Sequence, residues 1–238
     1  LIILRRKQII AACIKPLLMF ESRVVCICGL PGIGSVGKVA AEYFSTALGC
    51  SSVRSFFSHS LPPQVTVSAG RAELMHAELL HSRDKERIFV LSGDAQPLNV
   101  LGMHGLAGEI LQAIKSEGVT DVITLAAFVG ETAESILGTA TDLESAMLLQ
   151  DAGVPLLRSG AIGGMNGLLA GMAPLYRMRG YCLLGTSSGT DLVDIPATMN
   201  LLYAMRDLFD LELDFSLMES VLIEPDEPAP EEVDMNYC

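Results

Sequence analysis

The chain has 238 residues, half of them hydrophobic and only 18% charged, which is ample for one large core or two small ones and too apolar for a disordered chain. Its net charge of −12 disfavours a nucleic-acid backbone or an anionic membrane as partner. Residues 224–234, EPDEPAPEEVD, hold six of the acids and no base, leaving −6 for the body.

The N-terminal stretch LIILRRKQIIAACIKPLLMF sets Arg5, Arg6, Lys7 and Lys15 inside apolar sequence. That is not the order of a signal peptide, and no small-residue cleavage site follows. Residues 1–14 read as an N-terminal extension. RVVCIC (23–28) is a β-branched apolar run ended by Gly29, and on a strand Cys26 and Cys28 point to one face. From Ser35, Val36, Val39, Ala40, Tyr43, Phe44 and Ala47 recur at helical spacing, with Gly49 as the stop. SVRSFFSH (52–59) reads as a strand, 64–80 as a bent pair of strands around Gly70, and RIFVLSGD (87–94) as a buried strand. Leu106, Ile110 and Ile114 mark a helix closed by Gly118, and VTDVITLAAF (119–128) is a further buried strand.

Thr141-x-x-Glu144 predicts a capping box opening a helix that Gly153 closes. A Gly-rich segment (160–171) precedes the strand YCLLG (181–185), and Pro196 opens a last helix to about Leu208. The longest uncharged run, Ser159 to Tyr176, is broken by five glycines, Asn166 and Pro174, so it does not suit a membrane span. Alternating helices and near-continuous apolar strands predict an α/β fold, a mainly parallel sheet with helices on both faces. The six cysteines form no C-x-x-C pair and read as buried thiols of a cytoplasmic protein rather than a disulfide framework.

Three local motifs point to chemistry, and each is incomplete. Gly32-x-Gly34-x-x-Gly37, between a strand and a helix, fits a dinucleotide fingerprint, but no acid follows at the end of the second strand to hold a ribose. Gly32, four residues on, Gly37 and Lys38 approach a P-loop, but Val39 replaces the Ser or Thr that reaches magnesium. Gly185-Thr186-Ser187-Ser188-Gly189 satisfies the nucleophile-elbow pattern, yet His59, His76, His81 and His104 all precede it, the wrong order for a hydrolase. No histidine spacing suits zinc. No cofactor, metal or catalytic residue is assigned. The open alternative is a small-molecule binder or enzyme using the crevice at the strand C-termini, where Gly29, Pro31, Gly32, Gly34, Gly37, Asp94, Gln96, Glu131 and Ser187 could converge.

The succession GLPGIGSVGKVAAEYF (29–44), LPPQV (61–65), GDAQP (93–97), VITLAAF, GTATD (138–142), GAIGGMNGLLAG (160–171) and LLGTSSG (183–189) resembles the PAC2 family of proteasome assembly chaperones, its archaeal branch most of all. The resemblance covers roughly residues 15–220. It implies a fold akin to purine nucleoside phosphorylases, homo-oligomerisation, and binding to proteasome α-subunits or an α-ring. It also implies a docking motif at the chain end, a hydrophobic residue, then Tyr, then any residue. Here the end is Met235, Asn236, Tyr237, Cys238, with Asn236 at the hydrophobic position. The expected organisation is therefore an extension (1–14), a PAC2-like domain (15–221) and an acidic, Pro-rich tail (222–238) that tethers the partner-binding residues 235–238.

Overall fold

The computed structural model describes Phe20, residues 23–216 and Met218. A seven-stranded sheet forms the middle layer. Its strands are β1 (Val25–Cys28), β2 (Cys50–Phe56), β5 (Ala77–Ser82), β6 (Ile88–Gly93), β7 (Asp121–Phe128), β8 (Ile136–Ala140) and β9 (Arg179–Thr186), in the order β2-β5-β6-β1-β7-β9-β8. The four central strands, β6, β1, β7 and β9, run parallel. The flanking pairs β2–β5, β5–β6 and β8–β9 are antiparallel. The parallel core is what continuous apolar strands predict. Antiparallel flanks suit strands that are only half covered, such as β2, most of which is exposed.

Helices α1 (Val36–Ala47), α2 (Val100–Ser116), α3 (Leu143–Asp151), α4 (Gly164–Met172) and α5 (Ile195–Phe209) cover both faces. Alternation along β1 divides the interior into two cores. Val25 and Ile27 pack with Phe44 of α1 and with Leu201, Leu202 and Met205 of α5. Cys26 and Cys28 face the other side, among Ile110 and Leu111 of α2 and Met165 and Leu169 of α4. The two cysteines do share a face, with sulfurs 3.6 Å apart. The hydrogen bond to Cys28, with burial, holds the Cys26 thiol well above its ordinary pKa, and burial pushes Cys182 up to about 11. Both are kept as neutral thiols.

The helix stops expected at Gly49, Gly118 and Gly153 are all in place, each glycine with positive φ. Three local readings need correction. In 64–80 the pair of strands around Gly70 is in place, but it ends at Leu74 rather than running on to residue 80. It is a hairpin, β3 (Val65–Ser68) and β4 (Arg71–Leu74), in a separate two-stranded sheet, followed by β5 in the main one. Ala69 and Gly70 both have positive φ, as a two-residue primed turn requires. The cap of α3 is Asp142, not Thr141: Asp142 accepts from the Ser145 amide at 2.8 Å, whereas the Thr141 hydroxyl accepts from the Gly180 amide at 3.0 Å. The Gly-rich segment contains α4, where Gly167 lies so close to the Ile162 carbonyl that a Cβ would sit 2.2 Å from it.

At the N-terminal end of the sheet, Arg23 donates to Asp121 (2.9 Å) and to the Tyr181 hydroxyl (3.0 Å). Tyr181 in turn bonds Asp121 and Ser145. Asp121 is 1% exposed, and the Thr120 hydroxyl donates to its second oxygen at 2.6 Å. Burial pushes the Tyr181 phenol above its ordinary pKa, so it stays a donor. No described helix is long and apolar enough to cross a membrane.

Candidate functional site

The crevice at the C-terminal ends of the central strands is a cleft of about 420 Å³. Its walls are apolar: Leu30 after β1, Phe128 at the end of β7, Leu184 of β9, and Leu157 and Ile162 from the chain leading into α4. Among the described residues no acidic, basic or histidine side chain lines it. Its polar side chains are Gln96 and Asn166, and both are engaged with backbone. Gln96 donates to the Pro31 carbonyl and accepts from the Met165 amide at 2.7 Å. Asn166, only 4% exposed, accepts from the Leu30 amide at 3.1 Å and donates to the Leu30 carbonyl at 3.0 Å.

The glycine turn is held from a third side. The Gly34 carbonyl accepts from the amide of Asp194, the N-cap residue of α5, at 2.8 Å. The amides of Gly29 and Ser35 are bonded to Leu91 and Gly32 carbonyls. With Leu30 also taken, much of the donor set that a phosphate cradle needs is already committed inside the protein.

The glycines divide by role. A Cβ on Gly29 would lie 1.9 Å from the Gly37 carbonyl oxygen, and one on Gly37 would lie 2.0 Å from that of Leu125, so both permit α1 to sit directly on β1 and β7. Gly34 has φ +56°. Gly32 needs neither allowance: its φ is −168°, and its nearest neighbours would be 4.0 Å from an added Cβ.

Of the crevice residues expected from sequence, Gly32, Gly37 and Gln96 line the cleft together; Gly29, Pro31, Gly34, Asp94, Glu131 and Ser187 do not. Asp94 closes the junction of β5 and β6, its carboxylate accepting from the His76 amide at 3.0 Å and its amide donating to the His76 carbonyl at 3.0 Å. Glu131 stands exposed between β7 and β8. Ser187 is buried; its amide donates to the Phe128 carbonyl and its hydroxyl accepts from the Gly189 amide at 3.0 Å. It is a turn residue, without the exposed hydroxyl of a nucleophile elbow. Asn166 and Asp194, which fix the turn, were not predicted. A lone amide in the otherwise apolar Gly-rich run 160–171 was the available signal for Asn166. The partner-binding residues 235–238 lie outside the described residues.

The result is a three-layer α/β/α scaffold with an apolar crevice, whose two amide side chains, Asn166 buried and Gln96 half-buried, hold loops in place. The chain belongs to the PAC2 family, which it matches over residues 26–224. It is 34% identical over 197 residues to an uncharacterized protein of Methanocaldococcus jannaschii, a match spanning 80% of this chain and 76% of that one. Among solved structures it is similar to Pyrococcus furiosus PbaB, described as an archaeal proteasome activator, with TM-score 0.75 and 28% identity over 83% of this chain and 88% of PbaB. It is also similar to PbaA of the same organism, described as an archaeal homolog of proteasome-assembly chaperone, with TM-score 0.72 and 25% identity over 84% of each chain.

Proposed function

We propose that this chain is a cytoplasmic proteasome-assembly-chaperone-like protein that acts as a homo-oligomer and binds proteasome α-subunits or the α-ring, with residues 235–238 as the docking element. The observation that carries the reading is family membership across nearly the whole folded body, with PbaB and PbaA as neighbours of that same body. The crevice supports it from the other side, because Gln96 and Asn166 serve as clamps between loops rather than as a display toward a ligand. In this reading the Pro/acid segment 224–234 is a tether that sets reach and effective concentration, and the chain-end aromatic and carboxylate enter a pocket on the ring. A pull-down of proteasome α-rings with the full chain, and with residues 235–238 deleted, tests it. The full chain should capture the ring and the deletion should not. Equal capture by both would move the contact to the folded body, and no capture by either would refute the reading.

A further inference from the structure

The β3–β4 hairpin is amphipathic in a way the main sheet is not. Its register pairs Val65 with Leu74 and Val67 with Ala72, and these four share one face; Thr66 with Glu73 and Ser68 with Arg71 share the other. The polar face carries an Arg71–Glu73 ion pair at 3.1 Å. The apolar face has no cover among the described residues: all eight hairpin residues are exposed, Val67 to 68% and Leu74 to 64%. A lone two-stranded hairpin is marginal in water and needs a surface to pack on.

Next to this ridge lies an apolar recess of about 560 Å³, in which Val65 and Leu74 meet Phe57, Leu61, Pro62 and Met75. Phe57 is itself 56% exposed. No Asp, Glu, Lys or Arg lines the recess. Beside the recess the Leu98 amide donates to the Ser60 carbonyl, and Leu98 and, in the first turn of α2, Leu101 are exposed.

We infer that the apolar face of the β3–β4 hairpin and the recess at its root form a self-association surface, with a second copy of this chain as the occupant. The inference rests on the self-association named above and supplies its location. Two properties select a second copy. Two copies share one net sign, −12 each with −6 outside residues 224–234, so they repel on average and approach most readily on a face without Asp, Glu, Lys or Arg. Moreover, a protruding apolar ridge and an apolar recess sit side by side on one chain, so a two-fold axis can seat each ridge in the partner's recess in an isologous contact. A stable pair needs about 800 Å² per partner, which calls on ridge, recess and the Leu98–Leu101 rim together.

Sedimentation velocity and light scattering on the full chain at micromolar concentration test this. The wild type should run as a dimer or a multiple of one. Val67→Glu, on an exposed position away from the core, should weaken self-association at least about tenfold. Ser68→Glu, on the same strand but the opposite face and across from Arg71, should leave the mass unchanged. In the wild type, amide exchange across residues 65–74 should slow as concentration rises, a readout that needs no variant. Deleting 235–238 should abolish ring capture while leaving the mass intact, so the two readings fail separately. A monomeric wild type, an unchanged mass in Val67→Glu, or equal loss in Ser68→Glu would overturn the inference. Loss of ring capture in Val67→Glu at unchanged mass would also overturn it, by assigning the hairpin to the ring instead.

Discussion

Replacing single glycines in the Gly29–Gly37 turn distinguishes a structural turn from a nucleotide-binding one. An added Cβ at Gly37 would sit 2.0 Å from the Leu125 carbonyl oxygen, in the backbone of β7. A carbon–oxygen contact normally lies at about 3.3 Å, so α1 has to retreat by about 1.3 Å from the sheet. Inserting one methylene into a core that can yield costs about 1–3 kcal/mol. Here the obstacle is a central strand, so Gly37→Ala should cost about 3 kcal/mol or more, a large share of a total of about 5–15 kcal/mol. For a chain of this size that lowers Tm by about 6–12 °C. Gly32→Ala meets nothing closer than 4.0 Å and keeps an extended φ, so it should stay within about 1 kcal/mol of the wild type. Urea and thermal unfolding of both variants measure the difference. A dinucleotide turn shares the demand at Gly37, its third glycine, but adds one at Gly32, its first, so Gly32→Ala is the variant that separates the two readings. Severe damage from Gly32→Ala, or a mild effect from Gly37→Ala, would refute the reasoning. So would saturable binding of NAD or ATP to the wild type in calorimetry.

Other expectations are as direct. Tyr237→Ala should weaken ring capture by about 1–3 kcal/mol, the scale of an aromatic anchor, and Asn236→Leu should strengthen it, as titrations against a fixed ring concentration would show. Arg23→Ala removes the nearest cation from the Asp121 carboxylate, 1% exposed, and should cost about 3–5 kcal/mol by urea unfolding; a loss under 1 kcal/mol would mean that Thr120, Tyr181 and Arg179, whose guanidinium lies 3.9 Å from the carboxylate, suffice. Asp142→Ala should cost about 1 kcal/mol at neutral pH through loss of the α3 cap. The Ser145 amide holds the Asp142 pKa below its ordinary value in the folded state. The carboxylate therefore stabilises the fold above the ordinary carboxylate range and ceases to as pH falls through the depressed value. Wild type and Asp142→Ala should converge in acid, and a gap independent of pH would contradict this.

The sequence made some of this legible and hid the rest for physical reasons. Val36, Ala40 and Phe44 announce α1 because one face repeats, and all three are buried. β8 is five residues long and includes a glycine and two small residues, too little to register as a strand. α4 is disguised because its glycines serve close packing against Ile162 and a turn of positive φ at Gly164, neither of which local composition reports. Thr141 looks like a cap by spacing alone; the sheet claims its hydroxyl through Gly180, and Asp142 takes over. At the crevice, Gln96 was legible as a residue near a strand end. Asp94 and Ser187, equally near strand ends, turn away to satisfy His76 and Gly189, and such orientation depends on loop paths the sequence does not state.

The buried polar network at the foot of the sheet has a consequence for how the strands find their places. Central strands buried on both faces, such as Val25–Cys28 and most of Asp121–Phe128, lack the inside–outside alternation that normally penalises a slipped pairing. Sliding β7 by two residues against β1 would exchange apolar for apolar on both sides. It would also carry Asp121 away from Arg23 at the start of β1, leaving a carboxylate in the interior without its nearest cation. Because Val25 stands opposite Asp121, and Asp121 opposite Arg179, one acidic side chain indexes three parallel strands at once. An otherwise featureless apolar sheet thereby acquires a starting mark, and misaligned compact states become the ones that bury an unpaired charge.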